Sequence, residues 1–326
     1  MEEKTPQELF EEYRAAAFRG DALAQLRLAE CYNAGQGTSP DCGKAMLWYS
    51  FAAEQGLTEA QYQLAWLYLR GLGTKSDAAE AFRLFGVAAD GGDLRALYAL
   101  AGCYFRGTGT EKDLAKAARC FTRAAEAGSA DAEFRLGTLY LRGEGVQQDT
   151  QTAMQWLQKA ADHHSAGALC LLGDMYEHGK NVPQDEETAF KMFRSASMLH
   201  SGEGALREGR CYEEGIGTKK SPADALECYR TAASRGATEA YYHMGRCFAE
   251  GIGIEVEPKL AAIQWRHGAR LGNAACLYMA GHCYETGFGT TADTERALMC
   301  YVQAAHGGEP RAKEALARLK KSALSQ

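Results

Sequence analysis

The sequence predicts an all-α protein, an α/α superhelical solenoid of eight 36-residue helix-turn-helix repeats with a capping helix at each end. Three observations carry this. A glycine recurs at one fixed spacing, at Gly35, Gly71, Gly107, Gly143, Gly179, Gly215, Gly251 and Gly287. An aromatic stands three residues before each of them, from Tyr32 and Tyr68 through Phe248 and Tyr284. A small residue stands eight before that aromatic, from Ala24 and Ala60 through Gly204, Ala240 and Cys276. A fixed period without insertions is the signature of a tandem array.

The elements follow in order. Thr5 with Glu8 forms a capping box, and Pro6 suits the first helical position. Tyr13, Ala16, Ala17 and Gly20 then match the second helix of a repeat, so residues 5–20 read as an N-terminal capping helix and a natural start. Residues 21–308 hold the eight full repeats, within one domain spanning 1–326. In each first helix, Ala24, Leu28 and Tyr32 and their equivalents are spaced by four and share a face. Gly35 and Gly37 end that helix, since glycine tolerates positive φ. Asp41, Asp77, Asp113, Asp149, Asp185 and Asp293 are placed to cap the second helix, with Ser221 in the same role and Glu257 as a weaker substitute. The second helix carries Ala45 and Tyr49, an Ala-Ala pair and a terminal glycine. Residues 309–326 supply a closing helix in which Ala312 and Leu316 keep phase and Lys320 replaces the aromatic. A single hairpin cannot bury such a face, but stacked neighbours can.

Composition narrows the function. The formal charge of −6 disfavours nucleic acid as a partner. No apolar run approaches the ~20 residues that cross a bilayer. The N-terminus MEEKTPQELF lacks a basic stretch followed by an apolar one, so a cytoplasmic monomer is expected.

The pattern A-x-x-x-L-[AG]-x-x-Y-x-x-G-x-G…D-x-x-x-A…A-A-x-x-G resembles the Sel-one-like repeat (SLR) family, over nearly the whole chain. Tetratricopeptide repeats are related but have a shorter period and lack the G-x-G turn. The resemblance implies a right-handed superhelix whose first helices line a concave face. It also implies a non-catalytic adaptor or scaffold that binds a protein or peptide there, with no cofactor.

Two alternatives stand beside the adaptor. Eleven cysteines include the equivalent pairs Cys103 with Cys120, Cys211 with Cys228, and Cys283 with Cys300. Secreted cysteine-rich members of the family bridge helices with disulfides, so a disulfide-stabilised host-interaction factor is one alternative. Cysteine is also a good small core residue, and the spacing here differs from theirs. The other is a metal-dependent enzyme centred on His163, His164, His178 and His200. No C-x-x-C or H-x-x-x-H spacing supports it. His164 and His200 fall where a helix-ending glycine stands elsewhere, which suits a left-handed cap.

The middle of the chain departs from the pattern. Leu157 replaces an aromatic, Asn181 a turn glycine, Gly204 an alanine, and Glu208 a core leucine. A carboxylate there is costly unless paired or turned outward, so a local helix rotation, or a bend over 157–208, is expected.

The positions just before the turn glycine also change along the chain. Leu69–Arg70, Phe105–Arg106 and Leu141–Arg142 give way to Glu177–His178, Glu213–Glu214, Ala249–Glu250 and Glu285–Thr286. Tyr62, Trp66, Tyr98 and Phe134 run beside the first set. These residues predict a bipolar groove, apolar and arginine-lined in the N-terminal half and acidic in the C-terminal half. Its partner would carry acidic and apolar residues, because aromatics and arginine dominate binding hot spots.

Overall fold

The computed structural model describes residues 4–324, with side chains described through Leu319; the side chain of Lys320 lies outside them. Every regular element among the described residues is a helix. The first helices of the eight hairpins are α2 (Ala22–Ala34), α4 (Thr58–Arg70), α6 (Leu94–Arg106), α8 (Ala130–Arg142), α10 (Ala166–His178), α12 (Gly202–Glu214), α14 (Ala240–Glu250) and α16 (Ala274–Thr286). Their second helices are α3 (Cys42–Glu54), α5 (Ala78–Asp90), α7 (Leu114–Glu126), α9 (Thr150–Asp162), α11 (Glu186–Met198), α13 (Pro222–Ser234), α15 (Pro258–Arg270) and α17 (Thr294–His306). Helices α1 (Pro6–Ala17) and α18 (Pro310–Leu324) flank them. The chain falls into two compact units, Met1–His163 and His164–Gln326. Within each unit consecutive hairpins stack into a solenoid.

The stacking is governed by the turn. Gly107 leaves α6 in the left-handed conformation, and its N–H donates to Cys103 O at 2.8 Å. Asp113 N–H then donates to Tyr104 O at 2.9 Å, which folds the chain back into α7. Gly109, two residues on, has φ +70°, and a Cβ there would lie 1.9 Å from Ala78 O. Ala78 begins the second helix of the preceding hairpin. Gly73 meets Cys42 and Gly253 meets Pro222 in the same way. The second turn glycine is therefore a docking point between hairpins.

Between helices, small residues face large ones. Tyr49, Phe85, Phe121, Leu157, Phe193, Tyr229, Trp265 and Tyr301 are all buried, as the repeat pattern predicts. Alanines such as Ala60, Ala96 and Ala132 are fully enclosed and let neighbouring helices approach. Burying each large ring contributes about 1.5–3 kcal/mol. The first unit has one continuous core from Phe10 to Leu139. In the second the buried rings centre separate clusters, around Tyr229, Trp265, Phe193 and Tyr301.

The expected caps form at Asp41, Asp77, Asp113, Asp149, Asp185 and Asp293, each accepting from a backbone N–H in the first turn of its helix. Thr5 and Glu8 complete the capping box. Ser221 and Glu257 do not cap, contrary to the sequence expectation. The Ser221 hydroxyl donates to Asp224 instead. Both residues precede a proline at the first helical position, which is preset for helix, as Pro6 is after the capping Thr5. The first helices have caps that the repeat pattern did not disclose: Asp21, Asp93, Ser129, Ser165, Ser201 and Asn273.

The irregular middle keeps its register. His164 and His200 adopt φ of 63° and 61°, and Asn181 adopts 66°, so each takes the left-handed backbone of the glycine it replaces. Glu208 is not rotated outward. It is 8% exposed in a helix that buries Gly204, Ala205, Gly209 and Cys211, the pattern of its neighbours. Gly204 has its own cause, because a Cβ there would lie 2.6 Å from Ser197 N in α11.

Backbone hydrogen bonding from Lys116 holds the Asp113 carboxyl below its ordinary range, and Lys44 does the same for Asp41. A carboxylate depressed by folding stabilises above its unfolded pKa of about 3.9 and loses that effect as pH falls through the folded value. Asp113→Ala should therefore lower the melting temperature at neutral pH, while Ser221→Ala should not. The difference between Asp113→Ala and wild type should shrink as the buffer is taken below about pH 4.

Candidate functional site

In the first unit, one face of the first helices carries partly buried rings that pack on the core from outside the repeat's spacing positions. Trp66 and Leu69 of α4, Tyr98, Phe105 and Arg106 of α6, and Arg142 of α8 line one groove of about 430 Å³. Phe85 and Phe121 stand behind them, and Arg135, Thr138 and Glu144 complete the rim. Six of the ten predicted residues are thus brought together. Tyr62 and Arg70 line an adjoining groove with Tyr49 and Arg95, and Trp66 borders both. Phe134 and Leu141 are half-buried on α8 and border neither.

The rings interlock. Trp66 meets Phe85 edge-on at 5.4 Å and Tyr62 at 6.3 Å, while Tyr98 meets Phe121 at 5.4 Å. Such pairs prefer edge-to-face geometry and hold the wall rigid. The Arg70 guanidinium lies 5.0 Å over Trp66, and Arg95 lies 4.7 Å over Tyr62. Arg95 is also paired with Glu59 and Asp93. Among the described residues, Arg70, Arg106 and Arg135 have no carboxylate within ion-pair distance, and Arg142 has only Glu144 at 3.9 Å. The groove is consequently a cationic, aromatic-walled face on a chain of negative net charge.

The second unit fills the equivalent places differently. Arg210 of α12 pairs with Glu177 of α10, and Arg246 of α14 reaches Glu213 of α12 at 3.1 Å. Arg318 of α18 reaches Glu285 of α16 at 2.7 Å. Each bond joins one first helix to the next. Tyr229 and Tyr301 donate from behind to Glu213 and Glu285, each at 2.6 Å. Burial, together with that hydrogen bond, pushes both tyrosine hydroxyls up. His243 stacks on Tyr229 at 4.7 Å, with Nδ1 3.9 Å from Glu213.

The acidic half of the predicted groove is therefore corrected. Glu177, Glu213 and Glu285 are taken up by arginines two helices on, in α12, α14 and α18, and Glu250 lies 3.4 Å from Arg246. Only Glu214 of the exposed glutamates at these positions has no arginine beside it. In the first unit the same places hold Leu69 with Gly102 and Phe105 with Thr138. The groove exists because those residues do not bridge. The sequence reading missed Gly102 and Arg135, and missed the glutamate–arginine spacing of 33 that marks the closed face.

The other candidate chemistry does not assemble. All eleven cysteines are thiols, including the three pairs Cys103 and Cys120, Cys211 and Cys228, and Cys283 and Cys300. Burial pushes Cys211, Cys228, Cys247, Cys276 and Cys283 up to about 12 and so disfavours the reactive thiolate. Among the described residues no three metal-ligating side chains converge. His163 Nδ1 instead lies 2.8 Å from the buried Glu133, and His178 Nδ1 2.9 Å from Asp174 O.

A helical-repeat scaffold with a side-chain-built face is the class that this geometry defines. The model of the Sel1 repeat matches residues 22–57, 58–93, 94–129, 130–165, 166–201, 203–236, 238–265 and 274–309. The chain belongs to the Sel1 repeat family, whose helical scaffolds commonly serve protein interaction. A search of curated proteins gave no significant match. Among solved structures, it is similar to a protective antigen of uropathogenic Escherichia coli that displays an SLR fold, at 30% identity and a TM-score of 0.71. That match covers 94% of this chain and 66% of the antigen. A Sel1 repeat protein from Oxalobacter formigenes is 26% identical, with a TM-score of 0.70 over 98% of this chain and 95% of that one. Yeast Tom70, at 12% identity and a TM-score of 0.50, covers 86% of this chain and 60% of its own, and shares the fold alone.

The glutamate–arginine bridge makes a quantitative expectation. Arg210→Gly strands Glu177, 9% exposed, without its guanidinium. It should cost about 2–4 kcal/mol in denaturant unfolding. Adding Glu177→Leu, which recreates the Leu69–Gly102 combination, should recover most of that loss, the two changes being strongly non-additive.

Proposed function

We propose that this protein is a non-catalytic scaffold that binds a protein or peptide partner on the first-helix face of α4, α6 and α8. The observation that carries the reading is the juxtaposition of Trp66, Leu69, Tyr98 and Phe105 with Arg106 and Arg142 around one open groove. Aromatic and arginine side chains are the residue types that dominate interface energetics. Guanidiniums without a carboxylate of their own favour acidic side chains through paired hydrogen bonds. The partner segment would thus be acidic and apolar, and the resemblance to Sel1 repeat scaffolds supports a protein rather than a metabolite. A reducing, cytoplasmic setting and a monomeric state are part of the same proposal, supported by the buried thiols.

Arg106→Glu should weaken the partner recovered in a pull-down by about 1–3 kcal/mol. Its folding stability should stay within about 0.5 kcal/mol of wild type. Glu214→Lys is the control on the second unit and should change binding less. Calorimetry on that partner decides it; equal affinity for wild type and Arg106→Glu, with both folded, rejects the groove. Thiol titration tests the compartment. Protein purified without reductant should react with about eleven equivalents of thiol reagent after unfolding and with far fewer before it.

A further inference from the structure

The groove is kept open by a residue that the fold does not need. Gly102 lies in the middle of α6, where glycine is a poor helix former, and it does not take a positive φ. Other glycines of the first helices are forced by packing: a Cβ on Gly245 would lie 2.1 Å from Trp265 Nε1, and one on Gly209 would lie 2.7 Å from the Tyr229 ring. Gly102 is buried beneath the guanidinium of Arg106: the nearest atoms to a Cβ there would be those of that guanidinium, with Nη2 at 3.1 Å, the far end of a flexible side chain. The equivalent position in the second unit carries Arg210 and Arg246, which span to the preceding helix and close it. The fold therefore accepts a large side chain at this place, and α6 leaves it out.

We infer that Gly102 is the specificity-determining residue of this face: it opens a socket for one large apolar side chain of a partner segment, aromatic or leucine-sized, flanked by carboxylates. The inference rests on the reading of the groove as a partner site. The groove that contains the socket, about 430 Å³ in all, lies at the small end for binding pockets, and the rings of Trp66, Phe85, Tyr98 and Phe121 line it. Rings of this kind receive an inserted aromatic or aliphatic group edge-on. At its mouth Arg106, Arg135 and Arg142 face Glu144 alone, so carboxylates beside the anchor find guanidiniums on either side. A segment with lysine or arginine beside the anchor meets like charge.

Short random peptides displayed on phage and panned against the full chain test this. Enriched peptides are then measured by fluorescence anisotropy against wild type, Gly102→Ala, Gly102→Leu and Arg106→Glu. Both glycine replacements raise helix propensity, and the atoms nearest to the new Cβ belong to the mobile Arg106 tip; thermal melts check that each variant is folded before its affinity is read. Enriched peptides should share one Phe, Tyr, Trp or Leu with Asp or Glu close by. Gly102→Leu should weaken them about tenfold or more, and Gly102→Ala only about threefold or less. Full affinity for Gly102→Leu with loss at Arg106→Glu overturns the socket and leaves the groove standing. Full affinity for both variants overturns the groove as well. Enrichment of basic peptides, or of none, overturns the acidic ligand class.

Discussion

A carbonyl at the start of one second helix and a glycine in the next hairpin's turn come so close that no side chain fits between them. Ala78 and Gly109 show the contact most sharply, and it recurs at Cys42 with Gly73 and at Pro222 with Gly253. This approach sets the distance between successive hairpins. Much of the packing within each unit goes with that distance: alanines such as Ala60, Ala96 and Ala132 are fully enclosed where helices are that near, and one large side chain of each second helix, such as Phe85 or Tyr229, fills the space they leave. Interfaces of this kind couple each hairpin to its neighbours alone, so stability accumulates along the chain. The first-helix face lies outside the turn contacts that space the hairpins, and its side chains vary from unit to unit.

On that face the two units take opposite courses. The second bridges one first helix to the next with glutamate and arginine, and backs the glutamates with tyrosine hydroxyls. Such a face is charged in composition but satisfied in its bonds, and it offers little to an incoming partner. In the first unit leucine, phenylalanine, glycine and threonine occupy the same places, and Arg70, Arg106 and Arg135 have no carboxylate within ion-pair distance among the described residues. The two faces differ by side chains, and the helices beneath them follow one pattern.

Much of the fold was legible because its determinants repeat. Gly35, Tyr32 and Ala24 return in register eight times, and any packing rule that holds once is read eight times over. The caps of the second helices were legible for the same reason. The caps of the first helices were not, because aspartate, serine and asparagine share that role and no single letter recurs. Ser221 and Glu257 stand at the cap position before a proline, as the capping Thr5 does, yet the Ser221 hydroxyl is turned to Asp224 and Glu257 makes no side-chain cap bond. Glu208 misled in another way: a carboxylate at a core position was read as grounds for rotation, yet the helix is pinned by Gly209 against Tyr229 and cannot turn. Of the candidate site, the aromatic and arginine stripe was visible in sequence. The pairing of Glu177 with Arg210 was hidden because its partners lie on different helices, one period less three residues apart.

The bridging pair has a consequence for how repeat proteins of this kind acquire and lose recognition surfaces. Two side chains on adjacent helices decide whether the space between them is filled, and neither belongs to the set that spaces the hairpins. A cleft is thus a modular property of a junction, separable from the architecture that carries it. Exchanging that pair shifts a recognition surface along the array by one repeat at a time without any change of backbone. Sequence comparison within such a family should therefore find conserved spacing residues beside paired positions that drift together, junction by junction, as partners change.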